Sequence, residues 1–266
     1  MEFSSIVSLL ASGSYAIATL IIISRLFHPK GPNILYVLIF GSIGIISHTL
    51  ATSQFLFSDQ NINFALPNVI SLVSLVITLS VTVIALKYKV NLLIPVVYGF
   101  AGFWQLVMAL IPHDQMTPLE TSNIALFSHI TMALVAYCVL IIAMLYAFQV
   151  AYINMKLKEK ALATVSHLPP LMQVEAQLFT ILAVGTFLLF TSQLTGAFFL
   201  DEFFSKSNAH KAFFSLVALI IYVVILWGHY HKGWRGHRVL LMTTIATALL
   251  TLAYFGSRFV KEFLIL

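Results

Sequence analysis

The sequence predicts an all-α integral membrane protein in which eight transmembrane helices form one bundle. Hydrophobic residues make up 60% of the 266-residue chain and charged residues only 9%, against roughly 25% in a soluble domain. A soluble fold of this size could not bury so much apolar surface, which excludes a water-soluble enzyme or binding domain and also a disordered chain. The alternating pattern of a transmembrane β-barrel is absent from the sequence.

Eight apolar stretches are long enough to cross a bilayer, which takes roughly 20 residues of helix. They are residues 5–25, 34–56, 66–86, 91–111, 123–152, 176–200, 211–229 and 238–260. The first follows Met1-Glu2-Phe3 without a basic leader, so we expect a true span and not a cleaved signal. The fifth is long enough to continue as a helix beyond the bilayer. No internal repeat or long linker interrupts the spans, which predicts a single transmembrane domain over residues 1–266.

Basic residues concentrate in alternate loops. Ten of the fourteen lie in the loops that join spans 1–2, 3–4, 5–6 and 7–8, whereas most acidic residues lie on the opposite side. The positive-inside rule therefore predicts that these loops are cytoplasmic and that both termini lie outside. The net charge of +5 is thus an orientation signal, and nucleic-acid binding, which needs a basic face on a soluble domain, is excluded.

Small and polar residues recur at helical spacing on several spans, which is typical of helix faces buried against other helices. Span 2 carries the row Gly41, Gly44, His48 and Thr52, and span 6 carries Gly185, Ser192 and Gly196. We expect both rows to face the protein interior. The single cysteine, Cys138, lies in an apolar run, so no disulfide or cysteine metal cluster is expected.

Three of the nine histidines are predicted to lie in the outer half of the membrane. His48 lies inside span 2, His129 lies about two turns into span 5, and His210 opens span 7. A histidine within hydrocarbon is costly and rare, so each is a functional candidate. The alternative for His48 is a structural imidazole that is hydrogen-bonded to a neighbouring helix.

These histidines suit haem better than zinc. Zinc usually requires a fourth ligand and carboxylates in its second shell, and no acidic residue lies in the middle of a span. Haem iron needs only two axial imidazoles from facing helices. We therefore predict a haem b site with His129 and His210 as axial ligands and His48 as an alternative ligand or buried partner. Lys211 and Arg258, at the outer ends of spans 7 and 8, are candidates to bind the propionates, or are simply cations at helix ends.

Four motifs in the second half of the chain carry a family resemblance. They are Ser128-His129 with Ala136-Tyr137, Leu194-Thr195-Gly196-Ala197, the run from Trp227 to Gly236, and Leu252-Ala253-Tyr254-Phe255-Gly256-Ser257. Through them residues 123–260 resemble the cytochrome c assembly family of haem-handling membrane proteins, and in particular its HemX-like branch. The resemblance implies a multi-pass protein of the bacterial inner membrane, so the termini that the positive-inside rule places outside would be periplasmic. His129 matches the first outer histidine of the family, whereas His210 is assigned from its depth alone.

Two departures from the family pattern narrow the expected function. Members that deliver haem to cytochrome c have a tryptophan-rich outer loop, whereas residues 201–210 of this chain contain no tryptophan. Those members also have a histidine beyond the last helix, whereas residues 261–266 of this chain contain none. The resemblance therefore implies haem handling or cytochrome biogenesis without the haem-delivery synthetase activity. The sequence shows no arrangement of a nucleophile and a base for covalent catalysis, so it does not predict an enzyme.

Two other functions stay open at the level of sequence. One is a non-catalytic accessory or regulatory subunit of another inner-membrane protein. The other is a transporter that uses His48, although the spans contain no acidic residue at mid-depth and no evident inverted repeat. The predicted partners are the lipid bilayer, haem and another inner-membrane protein.

Overall fold

The computed structural model describes residues 3–26, 28, 31–58, 61–111, 118–119, 124–160, 168–200, 205, 209–256 and 259. It confirms the predicted all-α class, since eight helices are long and apolar enough to cross a membrane. They are α1 (Phe3–Arg25), α2 (Ile34–Leu56), α3 (Leu66–Ala85), α4 (Leu93–Leu110), α5 (Ile124–Lys158), α6 (Leu171–Phe199), α7 (Ala209–Lys232) and α8 (His237–Thr251). A π-helix over Leu252–Gly256 continues α8.

Four helices, α1, α5, α6 and α7, are longer than the apolar stretches that predict them. At 1.5 Å per residue the 35 residues of α5 span roughly 50 Å, so this helix extends well past a hydrocarbon core of roughly 30 Å, as expected. The α6 helix begins at Leu171, directly after Pro170, and not at residue 176. Its first turns contain Glu175, whose charge ends the apolar pattern although the side chain is buried.

The chain divides into two compact units, which are described separately. Unit 1 comprises Met1–Glu120 with Leu162–Pro169, and unit 2 comprises Thr121–Ala161 with Pro170–Leu266. In unit 1, α1 packs against α2 and α4, and α3 packs against the same two helices. In unit 2, α5 packs against α6 and α8, and so does α7. Each unit is therefore a ring of four helices, and the single domain over residues 1–266 stays a prediction.

A small antiparallel sheet closes one end of unit 1. Its strands are β1 (Phe57–Ser58), β2 (Asn61–Asn63) and β3 (Pro118–Leu119), in that order across the sheet. Phe57 pairs with Ile62, and Ile62 pairs with Leu119, so the sheet joins the segment after α2 to the segment after α4. Strands of two or three residues are too short to leave an alternating pattern, which is why the sequence did not predict them.

The small residues of α2 let tyrosines from neighbouring helices approach its backbone. Gly41, Gly44, His48 and Thr52 are all buried, which confirms the predicted interior row. A Cβ atom on Gly44 would lie 2.8 Å from the ring of Tyr15, and one on Gly41 would clash with the hydroxyl of Tyr98. Glycine at these positions therefore brings two buried tyrosines into the interior of unit 1.

Candidate functional sites in the two units

His48 is enclosed in the interior of unit 1. Its side chain is fully buried, and both ring nitrogens contact hydroxyl groups. The Tyr15 hydroxyl lies 3.3 Å from Nδ1, and Ser71 Oγ lies 3.2 Å from Nε2. A hydroxyl can donate or accept, so either neutral tautomer of the imidazole can make both hydrogen bonds. The His48 imidazole is therefore a buried side chain with a hydrogen-bond partner at each ring nitrogen.

Ser71 connects His48 to two further helices. Its hydroxyl oxygen lies 2.8 Å from Thr52 Oγ1 and accepts a hydrogen bond of 2.9 Å from Gln105 Nε2. Tyr15, His48, Ser71 and Gln105 come from α1, α2, α3 and α4 respectively. The side chains of Tyr15, His48, Thr52, Ser71 and Gln105, which we call the His48 network, are buried and join all four helices of unit 1.

His129 is held in a different way in unit 2. Its Nδ1 lies 2.8 Å from the backbone carbonyl oxygen of Ser192 on α6. A carbonyl can only accept, so Nδ1 carries the hydrogen and Nε2 of the neutral ring carries the lone pair. Histidines that bind metals have this arrangement, because the hydrogen bond fixes both the tautomer and the ring orientation. His129 is half-buried and its geometry suits an axial ligand.

The close packing of α5 against α6 supports this hydrogen bond. The hydroxyl of Ser192 donates to the carbonyl oxygen of His129 over 3.3 Å, which adds a second link between the two helices. A Cβ atom on Gly185 would lie 2.8 Å from the Leu140 side chain, so a larger residue there would have to displace that side chain. Gly185, Ser192 and Gly196 are buried, which confirms the predicted row on span 6.

The other predicted haem residues lie near the start of α7 or beyond α8. His210 is exposed in the first turn of α7, and Lys211 beside it is half-buried. Arg258 lies outside the described residues. Since α5 and α7 both pack against α6 and α8, they occupy opposite corners of unit 2. Among the described residues no hydrogen bond or ring contact joins His210 to His129, so their pairing as ligands stays a prediction.

The histidines of the described residues suit a metal ion whose cofactor already supplies most of its ligands. Within the described ranges, no group of three or more histidine, cysteine, aspartate or glutamate side chains comes together as a metal site. A bare ion would need such a group, whereas haem iron receives four ligands from its porphyrin and needs only axial nitrogens from the protein. A single imidazole such as that of His129 therefore suits haem better than a bare metal ion.

The family-like motif at the end of α8 adopts the π-helix. The Tyr137 hydroxyl on α5 lies 2.9 Å from Thr251 Oγ1, directly before this segment. The ring of Tyr137 then packs against those of Tyr254 and Phe255, at centroid distances of 5.6 and 5.4 Å. Tyr137, from one motif, thus positions the residues of another, and π-helical turns are frequent at functional sites.

The motif between Trp227 and Gly236 forms the connection from α7 to α8. Gly233 and Gly236 have φ angles of 63° and 64°, in the left-handed region that favours glycine. Trp234 folds back against Gly228, where a Cβ atom would clash with the indole. This local geometry explains the glycines at these three positions of the motif.

A charged contact that the sequence pattern did not predict ties this connection to α6. Arg235 Nε lies 3.0 Å from Glu175 Oε1, and the glutamate side chain is only 8% exposed. The two residues are far apart in the chain, and Glu175 lies at a predicted span boundary. The sequence signal for this contact is Glu175 itself, because a carboxylate at the end of a membrane span needs a cationic or hydrogen-bonding partner.

Comparisons with known proteins agree with the resemblance. The model of the family described as cytochrome C assembly protein matches residues 36–265. The inner membrane protein YpjD of Escherichia coli strain K12 is 38% identical over 257 residues, which cover 96% of this chain and 97% of that protein. YpjD of Escherichia coli O157:H7 matches with the same identity and coverage. No solved structure matches. The eight apolar helices and these relatives confirm the expected location in a bacterial inner membrane.

Proposed function

Because the chain belongs to the cytochrome c assembly family, we propose that it is a haem-b-binding membrane protein that handles haem during cytochrome c-type biogenesis. Haem would supply an iron centre that accepts axial nitrogen ligands. The observation that carries the proposal is the hydrogen bond of 2.8 Å between His129 Nδ1 and the Ser192 carbonyl. This bond directs the lone pair of the imidazole to Nε2, the nitrogen that would bind the iron.

The remaining residues have distinct roles in the proposal. His210 would hold the haem iron together with His129, from the helix at the opposite corner of unit 2. Lys211 and Arg258 would bind the anionic propionates. His48 acts as a buried partner and not as a ligand, because hydroxyl groups contact both of its ring nitrogens.

The same proposal excludes haem delivery to an apocytochrome by this chain alone. The segment 201–210 contains no tryptophan that could form the aromatic loop of the delivering members. The protein would then bind haem without catalysing its attachment. Both termini lie on the periplasmic side in this proposal, because alternate loops contain most of the basic residues.

Absorption spectroscopy of the purified chain tests the proposal. Addition of haem b should give a Soret band and a reduced spectrum typical of two imidazole ligands. His129→Ala should lose that spectrum, whereas Ser192→Ala should keep it, because the hydrogen bond uses the Ser192 backbone carbonyl. His237→Ala, at an exposed histidine of α8, is the matched control. Absence of a Soret band in the unmodified chain would refute haem binding.

A further inference from the structure

The end of α7 and the start of α8 carry exposed cations that haem binding by His129 does not use. We propose that the surface formed by these two helix ends binds an anionic phospholipid, with its phosphodiester against Lys232 and Arg238 and its acyl chains along the apolar faces of both helices. The proposal does not depend on the haem site. Three features support it: the contacts of Trp227, the pairing of the carboxylates in this unit, and the exposed apolar stripes beside the cations.

An exposed indole holds the first of the two cations in place. Lys232 is the last residue of α7, and its Nζ lies 4.8 Å from the centroid of the Trp227 ring. The imidazole of His231 also packs against this indole, with ring centroids 5.6 Å apart and ring planes at 23°. The indole is 48% exposed, so this contact fixes the ammonium group at the protein surface. Tryptophan is enriched at the level of the lipid headgroups, where an ammonium group beside it meets the phosphates.

The second cation comes from the neighbouring helix. Arg238 is exposed in the first turn of α8. Only residues 233–236 separate α8 from the end of α7, and two backbone hydrogen bonds of 3.1 Å fold this connection back onto α7. The two helices also pack against each other. Lys232 and Arg238 therefore lie at the same end of two adjacent helices, where one headgroup can contact both.

The carboxylates of unit 2 that the structure describes are engaged with other cations. Each forms an ion pair, Glu175 with Arg235 at 3.0 Å and Glu159 with Lys156 at 2.7 Å. Among the described residues, therefore, no carboxylate neutralises either of the two proposed phosphate-binding side chains. Cations at the end of a membrane span attract the phosphates of anionic lipids. The phosphodiester of such a lipid supplies the negative charge that the described part of the protein does not.

Exposed apolar side chains continue along both helices from the cations toward the middle of the spans. They are Ile220, Val223 and Trp227 on α7, and Leu241 and Ile245 on α8. Successive members are three or four residues apart, so they form one stripe along each helix. A lipid binds through both its acyl chains and its charge, and the stripes beside two cations match these two parts. A soluble anion would contact the cations alone, which favours a phospholipid as the ligand.

Quenching of tryptophan fluorescence by brominated lipids tests the site. The full chain is reconstituted in phosphatidylcholine vesicles that contain increasing fractions of dibrominated phosphatidylglycerol or dibrominated phosphatidylcholine. The emission that Trp227→Phe removes is the contribution of Trp227, and the anionic lipid should quench it at a lower mole fraction than the zwitterionic lipid. Lys232→Gln should lower this preference by about fivefold, the effect of one cation near a membrane surface, and the further change Arg238→Gln should remove most of what is left.

A matched control separates a lipid site from the general attraction of a basic surface. Lys87 Nζ lies 5.6 Å from the centroid of the Tyr88 ring in unit 1, so Lys87→Gln removes the same kind of cation. It should leave the lipid preference at Trp227 unchanged. The site is refuted if Lys87→Gln lowers the preference as much as Lys232→Gln does. It is also refuted if both brominated lipids quench Trp227 of the unmodified chain equally.

A competition experiment distinguishes the lipid from a free phosphate. Excess inorganic phosphate is added to the vesicles with brominated phosphatidylglycerol and is compared with sodium chloride of the same ionic strength, because salt alone screens surface charges. Phosphate should restore no more Trp227 emission than chloride does, since it has no acyl chains to cover the stripes. A specific recovery with phosphate would identify a soluble anion as the ligand and would overturn the assignment to a phospholipid.

Discussion

His48 and His129 show how two imidazoles in different units of one chain become suited to different chemistry. Both come from apolar helices and lie beside small or hydroxyl residues. Hydroxyl groups contact both nitrogens of His48, so its tautomer can change. A backbone carbonyl contacts Nδ1 of His129, so its tautomer is fixed and Nε2 carries the lone pair. The hydrogen-bond partners therefore distinguish a histidine that is satisfied on both ring nitrogens from a histidine that is a candidate ligand.

The largest test of this contrast compares the haem spectra of variants at the two histidines. His129→Ala should lower haem affinity by at least about 100-fold, since it removes the proposed iron ligand. His48→Gln should leave the haem spectrum unchanged, because hydroxyl groups contact both ring nitrogens of His48. Absorption spectra of both variants check this. Loss of the haem spectrum in a folded His48→Gln chain would remove the distinction between the units.

The glycine contacts give a smaller effect, on stability, that also differs between the units. Gly44→Ala should destabilise the protein by about 2–3 kcal/mol, because the new Cβ would lie against the stiff Tyr15 ring. Gly185→Ala should cost only about 1 kcal/mol, because the flexible Leu140 side chain can move aside. Unfolding in detergent measures both.

A glycine with open space around it provides the control for these substitutions. A Cβ atom on Gly13 would meet no neighbouring side chain or helix within 4 Å, so Gly13→Ala should be neutral or stabilising by up to about 1 kcal/mol. Equal losses for Gly44→Ala and Gly185→Ala would show that the rigidity of the neighbouring side chain does not matter.

The smallest expected effect concerns the two tyrosine–threonine pairs. Tyr98→Phe and Tyr222→Phe should each cost roughly 0.6 kcal/mol, the average for a polar contact between membrane helices. The cost is small because Thr82 and Thr247 also donate to backbone carbonyls one turn earlier in their helices. Thermal unfolding of the two variants should therefore be similar. A much larger loss for Tyr98→Phe would show that the two contacts are not equivalent.

Most of the fold follows from hydropathy, since all eight spans and the interior face of α2 are predicted from the sequence. The α6 helix begins five residues before the apolar stretch that predicts it, because Glu175 interrupts the apolar pattern while its contact with Arg235 makes burial possible. That partner lies in a distant loop, so a local reading of the sequence cannot account for it.

The candidate sites are less predictable than the fold. The imidazoles could be chosen because histidine is rare in hydrocarbon, but the partner of His129 is a backbone carbonyl. Every residue has such a carbonyl, and only the packing of α5 against α6 determines which one lies within reach. Tyr15 was also missed, since a tyrosine in an apolar span has no pattern of its own until Gly44 brings it beside His48.

The π-helix at Leu252–Gly256 makes the end of α8 sensitive to chain length. A π-helical turn accommodates one residue more than an α-helical turn, and each residue of an α-helix advances the direction of its side chain by about 100°. Deleting one residue from this segment would restore regular winding and rotate all that follows, so that Tyr254 and Phe255 could no longer both face Tyr137. Homologous chains should therefore vary in side chains here before they gain or lose a position.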